Sequence, residues 1–182
     1  MESKKNNTRF ITEAGIMLAL TFILNSIKLY KLPQGGSITP GGYVPLLIFG
    51  FRWGWKKGLV LGALYGLLDY AMDPFFLNVV QFLLDYPVAY AMLGLTGLFR
   101  KNLIVDGKVN NAKLIAGTIV ATVLRMVAAV ISGIAFFKQY LPQDKPFLLG
   151  SILYNGSYTL PNMIIAIVLI LIIFPRVKKE AK

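Results

Sequence analysis

The sequence predicts an all-α, polytopic membrane protein: a bundle of six transmembrane helices with both termini cytoplasmic. Three observations carry this. The 182 residues are 56% hydrophobic, with mean hydropathy +0.64, whereas a soluble domain is about 45–50% apolar. Apolar stretches recur near the length of about 20 residues that crosses a bilayer. Lys and Arg gather in alternate connections, the asymmetry that sets membrane orientation. Residues 1–182 read as a single integral membrane domain, with no cleavable signal, because the first apolar stretch is longer than an h-region and lacks a small-residue cleavage site.

Six segments follow in order. The first spans 10–29 and carries Ala14, Gly15 and Ala19; small residues four apart let helices approach closely, within the bundle or on another membrane protein. A Gly/Pro-rich stretch, KLPQGGSITPGG (31–42), separates it from a short second segment at 43–51. That segment is too short to span alone and reads as a partial span or a tilted, packed helix. The third covers 58–72, the fourth 76–99, the fifth 114–137 and the sixth 146–174. No internal repeat stands out.

The connections 1–9, 52–57, 100–113 and 175–182 hold 14 Lys and Arg; the opposite side holds Lys28, Lys31, Lys138 and Lys145, and Arg125 lies within a span. This places both termini on the cytoplasmic side. It also explains the net charge of +11 as a topology signal, not a nucleic-acid surface. Asp69, Asp73 and Asp144 fall on the outer side. Tyr30, Tyr43, Tyr70, Phe75, Phe76 and Tyr140 read as an outer aromatic belt, with Trp53 and Trp55 as the inner one.

The chain has no Cys and no His. That removes disulfides, thiolate chemistry, His-based metal sites and Ser–His or Cys–His nucleophile pairs, so Gly156-Ser157 does not read as a hydrolase centre and the chain reads as a non-enzyme without cofactor or metal. No G-x-x-x-x-G-K-[ST] occurs, so any ATP-driven transport requires an ATPase on another subunit.

Polar groups in the apolar runs are the candidate site. In the fourth segment, FLLDYPVAYAM (82–92) places an acid at membrane depth, which costs about 2.5–3.5 kcal/mol on insertion scales and marks a functional position. Asn78, Gln81 and Asp85 share one helical face, with Tyr86 alongside. Pro87 removes a backbone N–H and disturbs the carbonyl of Leu83, a local kink that can shape a pocket. In the sixth segment, GSILYNGSYTLP (150–161) aligns Ser151, Asn155 and Tyr158, with Tyr154 beside them. Each face reads as ligand-binding or as a hydrogen-bond network between helices. One carboxylate, an amide and several rings in an outward-opening site suit a flat, cationic, aromatic ligand. Arg125 needs a partner, with Glu13, Asp69 and Asp85 as candidates, and reads as a structural ion pair.

Five stretches, GGSI (35–38), FGFRWGWKKG (49–58), LLDYPVAY (83–90), R-x₆-SG (125–133) and YNGSYTLP (154–161), resemble the thiamine-specific S-components of energy-coupling factor (ECF) transporters. The resemblance runs in order through nearly the whole chain. It implies a six-helix protein of the bacterial cell membrane that captures thiamine near the outer face. The loop between the first two helices acts as a lid. The protein docks on a module of one transmembrane coupling protein and two ATPase subunits, partly through the small residues Ala14, Gly15 and Ala19. The family's helix-four acid, usually glutamate, corresponds to Asp85, its aromatic neighbour to Tyr86 and its helix-six asparagine to Asn155. A family histidine falls at Ala129, a tryptophan at Phe137 and a tyrosine at Gly150, so ring contacts are lost or reduced. The substrate-binding set is therefore Asp85, Tyr86, Asn155, Tyr154, Tyr158, Gln81, Phe137 and Ser151. Alternatives are an S-component for a related vitamin or precursor, such as hydroxymethylpyrimidine or pyridoxine, and an autonomous secondary transporter coupled to protons through Asp85.

Overall fold

The computed structural model describes residues 2–33, 35–137 and 146–177, with side chains from residue 7 onward. Lys138, Tyr140, Asp144, Lys145, Lys178, Lys179 and Lys182, used above to read orientation, lie outside the described residues. Helices dominate. α1 covers Glu2–Ser26, α2 Val44–Trp53, α3 Trp55–Met72, α6 Asn111–Phe136 and α7 Phe147–Val177. Between α3 and α6 runs a composite helix, Val79–Phe99. It consists of α4 (Val79–Leu83), a π-helical turn (Leu84–Val88), α5 (Ala89–Leu93) and a 3₁₀ stretch (Gly94–Phe99). Two small antiparallel hairpins complete the chain: β1 (Tyr30–Lys31) pairs with β2 (Ser37–Ile38), and β3 (Ile104–Val105) with β4 (Lys108–Val109).

Among the described residues four helical stretches are long and apolar enough to cross a membrane: Asn7–Ser26, Val79–Phe99, Asn111–Phe136 and Phe147–Val177. α3 has 18 residues but carries Lys56, Lys57 and Asp69. α2 has only 10 residues, about 15 Å of helix, and all of them are buried. Sequence length left its role open; packing settles it as the central peg of the core. Leu46, Leu47, Phe49 and Phe51 are almost fully enclosed, with Leu93, Leu114, Ile170 and Phe174 around them. Pro45 stands in the first turn, where a missing N–H costs nothing. Only Gly54 separates α2 from α3, and its φ of +86° is a backbone state that side chains disfavour.

Glycines also set the packing of α3. Gly58, Gly62 and Gly66 recur every four residues and face the composite helix backbone to backbone. A Cβ at Gly58 would lie 2.6 Å from the Gly94 carbonyl oxygen, at Gly62 2.8 Å from Ala91 Cα, and at Gly66 2.7 Å from Pro87 N. This close approach holds the π turn against α3.

At the basic end of the bundle, Arg52 of α2 grips Glu13 of α1 with Nε and Nη2, at 2.5 and 3.0 Å, and also donates to the Val177 carbonyl of α7. Both partners are largely enclosed, so deleting one would strand a charge at a cost of about 3–5 kcal/mol. Glu13 is thus taken by Arg52 and does not pair with Arg125. Trp53, expected in an interfacial belt, instead packs inside against Phe10 and Phe49, with ring centroids 5.2 and 6.1 Å apart. Tyr43 is likewise buried, not interfacial. On α1, Ala14 packs on the core together with Phe10, Met17 and Leu18, the within-bundle alternative for that residue. Gly15 and Ala19 are exposed, and a Cβ at Gly15 would meet nothing within 4 Å.

Gly62→Ala is expected to destabilise the protein in detergent by about 1–3 kcal/mol, because overpacking must push α3 off the composite helix. Gly15→Ala is expected to leave thermal unfolding unchanged or slightly improved. Equal melting behaviour of the two variants would refute the ridge.

Candidate functional site

A cavity of about 840 Å³ opens between the C-terminal ends of α3 and α6 and the N-terminal ends of the composite helix and α7, under the connection that carries β1 and β2. All eight side chains of the predicted binding set line it: Gln81, Asp85, Tyr86, Phe137, Ser151, Tyr154, Asn155 and Tyr158. Ala129 and Gly150, where the resemblance expects rings, line it too.

The composite helix presents the acid. Pro87 has no N–H to give, and the chain widens into the π turn Leu84–Val88 around it. Gln81 Nε2 donates to Asp85 Oδ2 at 2.7 Å, and Gln81 Oε1 accepts from the Leu77 amide at 3.0 Å. Gln81 is almost fully buried, so its amide fixes the carboxylate instead of meeting water. Asn78 belongs to the cap and not to the polar face: its side chain accepts from the Gln81 amide at the start of α4. Tyr86 Oη donates to the Asp73 carbonyl at 3.2 Å and accepts from the Phe75 amide at 3.1 Å. It thereby ties the rim segment to the helix. Phe75 stacks on Phe137 with centroids 5.5 Å apart, closing one side of the mouth.

α7 supplies the amide. Ser151 Oγ donates to the Val130 carbonyl of α6 at 3.1 Å, and Asn155 Nδ2 donates to the Ser151 carbonyl at 3.0 Å. Tyr158 Oη donates to Asn155 Oδ1 at 2.6 Å. Only the Ser151–Val130 bond joins two helices, and such bonds average about 0.6 kcal/mol in membranes, so this array orients groups more than it glues helices. A Cβ at Gly133 would strike Ser151 Oγ, which explains how α6 and α7 meet so closely here.

The site is richer than the sequence reading. Asp69 and Asp73 line the cavity with Asp85, so the expected single carboxylate becomes three. Lys31 of β1 pairs with Asp73 across the rim at 3.3 Å. Asn25 of α1 donates to Tyr65 Oη at 2.9 Å, and Tyr65 donates to Asp69 Oδ1 at 3.3 Å. Among the described residues Arg125 makes no ion pair; its guanidinium carbon lies over the rings of Tyr43 and Tyr90, 4.7 and 4.8 Å from the two centroids. Tyr43 was missed because an aromatic residue near a span end reads equally as belt or lining, and Tyr90 because a mid-span ring among apolar neighbours reads as packing. Asn25 carried a usable signal, a lone amide ending an apolar run.

The connection over the cavity is pinned from below. Asn162 of α7 accepts the Thr39 amide at 3.0 Å and donates to the Ser37 carbonyl at 2.8 Å. The Gly36 amide donates to Tyr154 Oη at 3.1 Å, and a Cβ at Gly36 would lie 2.5 Å from the Tyr158 ring. Only glycine lets the backbone lie on these two tyrosines. Asn162→Leu is expected to speed amide exchange over 35–42 by about tenfold, the effect of losing roughly 1–1.5 kcal/mol of hydrogen bonding. Unchanged exchange would show that other contacts hold the connection.

Comparison with known proteins agrees with this architecture. The family model described as thiamine transporter protein (Thia_YuaJ) matches residues 11–182. The thiamine transporter ThiT of Bacillus subtilis (strain 168) is 34% identical over 194 residues, covering the whole of both chains. ThiT of Lacticaseibacillus paracasei is 27% identical over 166 residues, covering 86% of this chain and 80% of that one. The solved structure of ThiT from Listeria monocytogenes has the same fold, with a TM-score of 0.84 at 23% identity over 95% of this chain and 97% of the other. With a match along nearly its entire length and a full-length relative at 34% identity, the chain belongs to the thiamine transporter protein family.

Proposed function

We propose that the protein is the substrate-capture subunit of an ATP-driven ECF importer for thiamine in a bacterial cell membrane. The observation that carries this is the cavity itself. It joins an oriented carboxylate, an amide and a wall of aromatic rings, and family relatives are named as thiamine transporters. Asp85 attracts the cationic thiazolium and accepts from the exocyclic amine. Asn155 and Ser151 offer polar groups to the pyrimidine. Tyr86, Tyr154, Tyr158 and Phe137 supply ring faces. The connection over the mouth acts as the lid, anchored through Gly36 and Thr39.

In this reading residues 1–182 form one integral membrane domain of six helices, with α2 and α3 counted as its two short ones. Lys and Arg gathered at the Arg52 end support cytoplasmic termini, with the cavity opening outward. The chain binds no nucleic acid, performs no catalysis and uses no metal or cofactor. Its partners are membrane lipids, a transmembrane coupling protein and two ATPase subunits. Gly15 and Ala19, exposed on α1 with open space above Gly15, offer the coupling protein a close helix–helix contact, while Ala14 supports that face from within.

A second reading rests on Ala129 and Gly150, which leave the cavity wall without side-chain rings at two points. It keeps the importer role and exchanges the ligand for hydroxymethylpyrimidine or pyridoxine. Calorimetric titration of the purified protein with thiamine, hydroxymethylpyrimidine and pyridoxine separates the two: the thiamine reading requires thiamine to bind tightest by a wide margin. A protonophore that abolished uptake in cells lacking the ATPase module would instead favour an autonomous proton-coupled transporter.

Asp85→Asn is expected to weaken a cationic ligand by about 30-fold or more, as for loss of one member of a buried charge pair, and a neutral fragment far less. Equal losses would remove the charge-pairing role. Gly15→Leu and Ala19→Leu are expected to leave binding in detergent intact and to block cellular uptake. Normal uptake by both variants would rule out docking through this face.

A further inference from the structure

Depth in the cavity can be followed along its helices. On α6 the lining residues Arg125, Ala129, Gly133 and the capping Phe137 recur every four positions and form one face. Phe137 is at the mouth, and Arg125 lies twelve residues deeper, about 18 Å along the axis. On the composite helix Gln81 and Asp85 are nearer the mouth, and Tyr90 is the deepest lining residue. Tyr90 is also one of the two rings that clasp Arg125. The guanidinium therefore occupies the floor, with the acid above it.

This floor is unusual electrically. Arg125 is 8% exposed, and its Nε and Nη1 atoms meet no hydrogen-bond acceptor. Among the described residues no carboxylate stands at ion-pair distance from it. Its carbon lies over the rings of Tyr43 and Tyr90, and Nε and Nη1 are left to donate, which a guanidinium does only in its own plane. A buried cation left this way inside a membrane domain is a functional group by default.

We propose that Arg125 is a ligand-contacting, specificity-determining residue that takes the uncharged, acceptor-bearing ring of the ligand at the cavity floor and turns a cationic ring back toward Asp85. The inference rests on the reading that this cavity takes thiamine. An aminopyrimidine carries ring nitrogens that accept hydrogen bonds and no charge. A thiazolium carries a permanent charge that the guanidinium repels and the carboxylate attracts. The polarity of the cavity thus fixes both the orientation of the ligand and the kind of ring admitted to the floor.

The test uses the full chain in detergent and two ligands: thiamine, and an analogue whose pyrimidine is replaced by a phenyl ring bearing the same substituents, with the thiazolium kept. In the unsubstituted protein the analogue is expected to bind at least about tenfold more weakly, as for one lost hydrogen bond to a charged donor. In Arg125→Met the preference is expected to fall by about tenfold, to what Asn155 and Ser151 supply, and Arg125→Lys is expected to retain part of Arg125's share. Thermal unfolding establishes that each variant is folded. Survival of the full preference in Arg125→Met overturns the proposal. So does equal binding of the two ligands by the unsubstituted protein, which needs no folded variant. Failure of the unsubstituted protein to bind thiamine overturns the functional reading and this inference together, whereas thiamine binding without preference overturns this inference alone.

Discussion

The approach of α3 to the composite helix governs the rest of the structure. Gly58, Gly62 and Gly66 bring two backbones together with no side chain between them. Helices in a membrane gain little from apolar burial against one another, since lipid is equally apolar, and depend on close packing of this kind. The cavity end of the ridge, Gly66, lies against the Tyr86–Pro87 peptide. That is where the helix widens and Asp85 turns into the cavity. Packing, backbone irregularity and site chemistry meet at one residue. A proline in an isolated helix would kink it; held against a glycine face, the same proline yields a defined π turn.

The cavity wall follows a second rule, that each buried polar atom orients a neighbour. Gln81 holds Asp85, Ser151 and Tyr158 hold Asn155, and Asn162 holds the covering connection. These bonds are modest singly, but in a low dielectric an unsatisfied partner is costly. The network therefore permits few alternative arrangements, and a ligand meets groups already in place. Arg125 departs from the rule: its Nε and Nη1 remain unsatisfied by protein.

Much of this was legible in the sequence. Polar residues inside apolar runs stand out, so Asp85, Gln81, Asn155, Ser151 and Tyr158 were readable and do line one cavity. The helices were readable from length and apolarity, with ends displaced by a few residues. What escaped has a common physical cause. Aromatic and small residues have two homes in a membrane protein, lipid-facing and core-facing, and composition does not separate them. Tyr43 and Trp53 were therefore assigned to interfacial belts although both are buried, and Ala14 was grouped with Gly15 although it packs inward. The same ambiguity hid the cation–π contacts of Arg125 with Tyr43 and Tyr90, because such partners leave no charge pattern to find. The role of α2 was hidden for a different reason, since a 10-residue apolar helix is too short for periodicity to show what surrounds it.

The open space above Gly15 has a consequence for how change at that position is to be interpreted. Most positions in a packed protein answer to two constraints at once, stability and activity, and substitutions blur them. Among the described residues a Cβ at Gly15 would meet nothing within 4 Å, so the fold is nearly indifferent to a small side chain there. Selection acting there would come from outside the molecule. The breadth of side chains tolerated at this site across natural variants would thus measure how tightly an outside surface is fitted to α1, uncontaminated by the demands of folding.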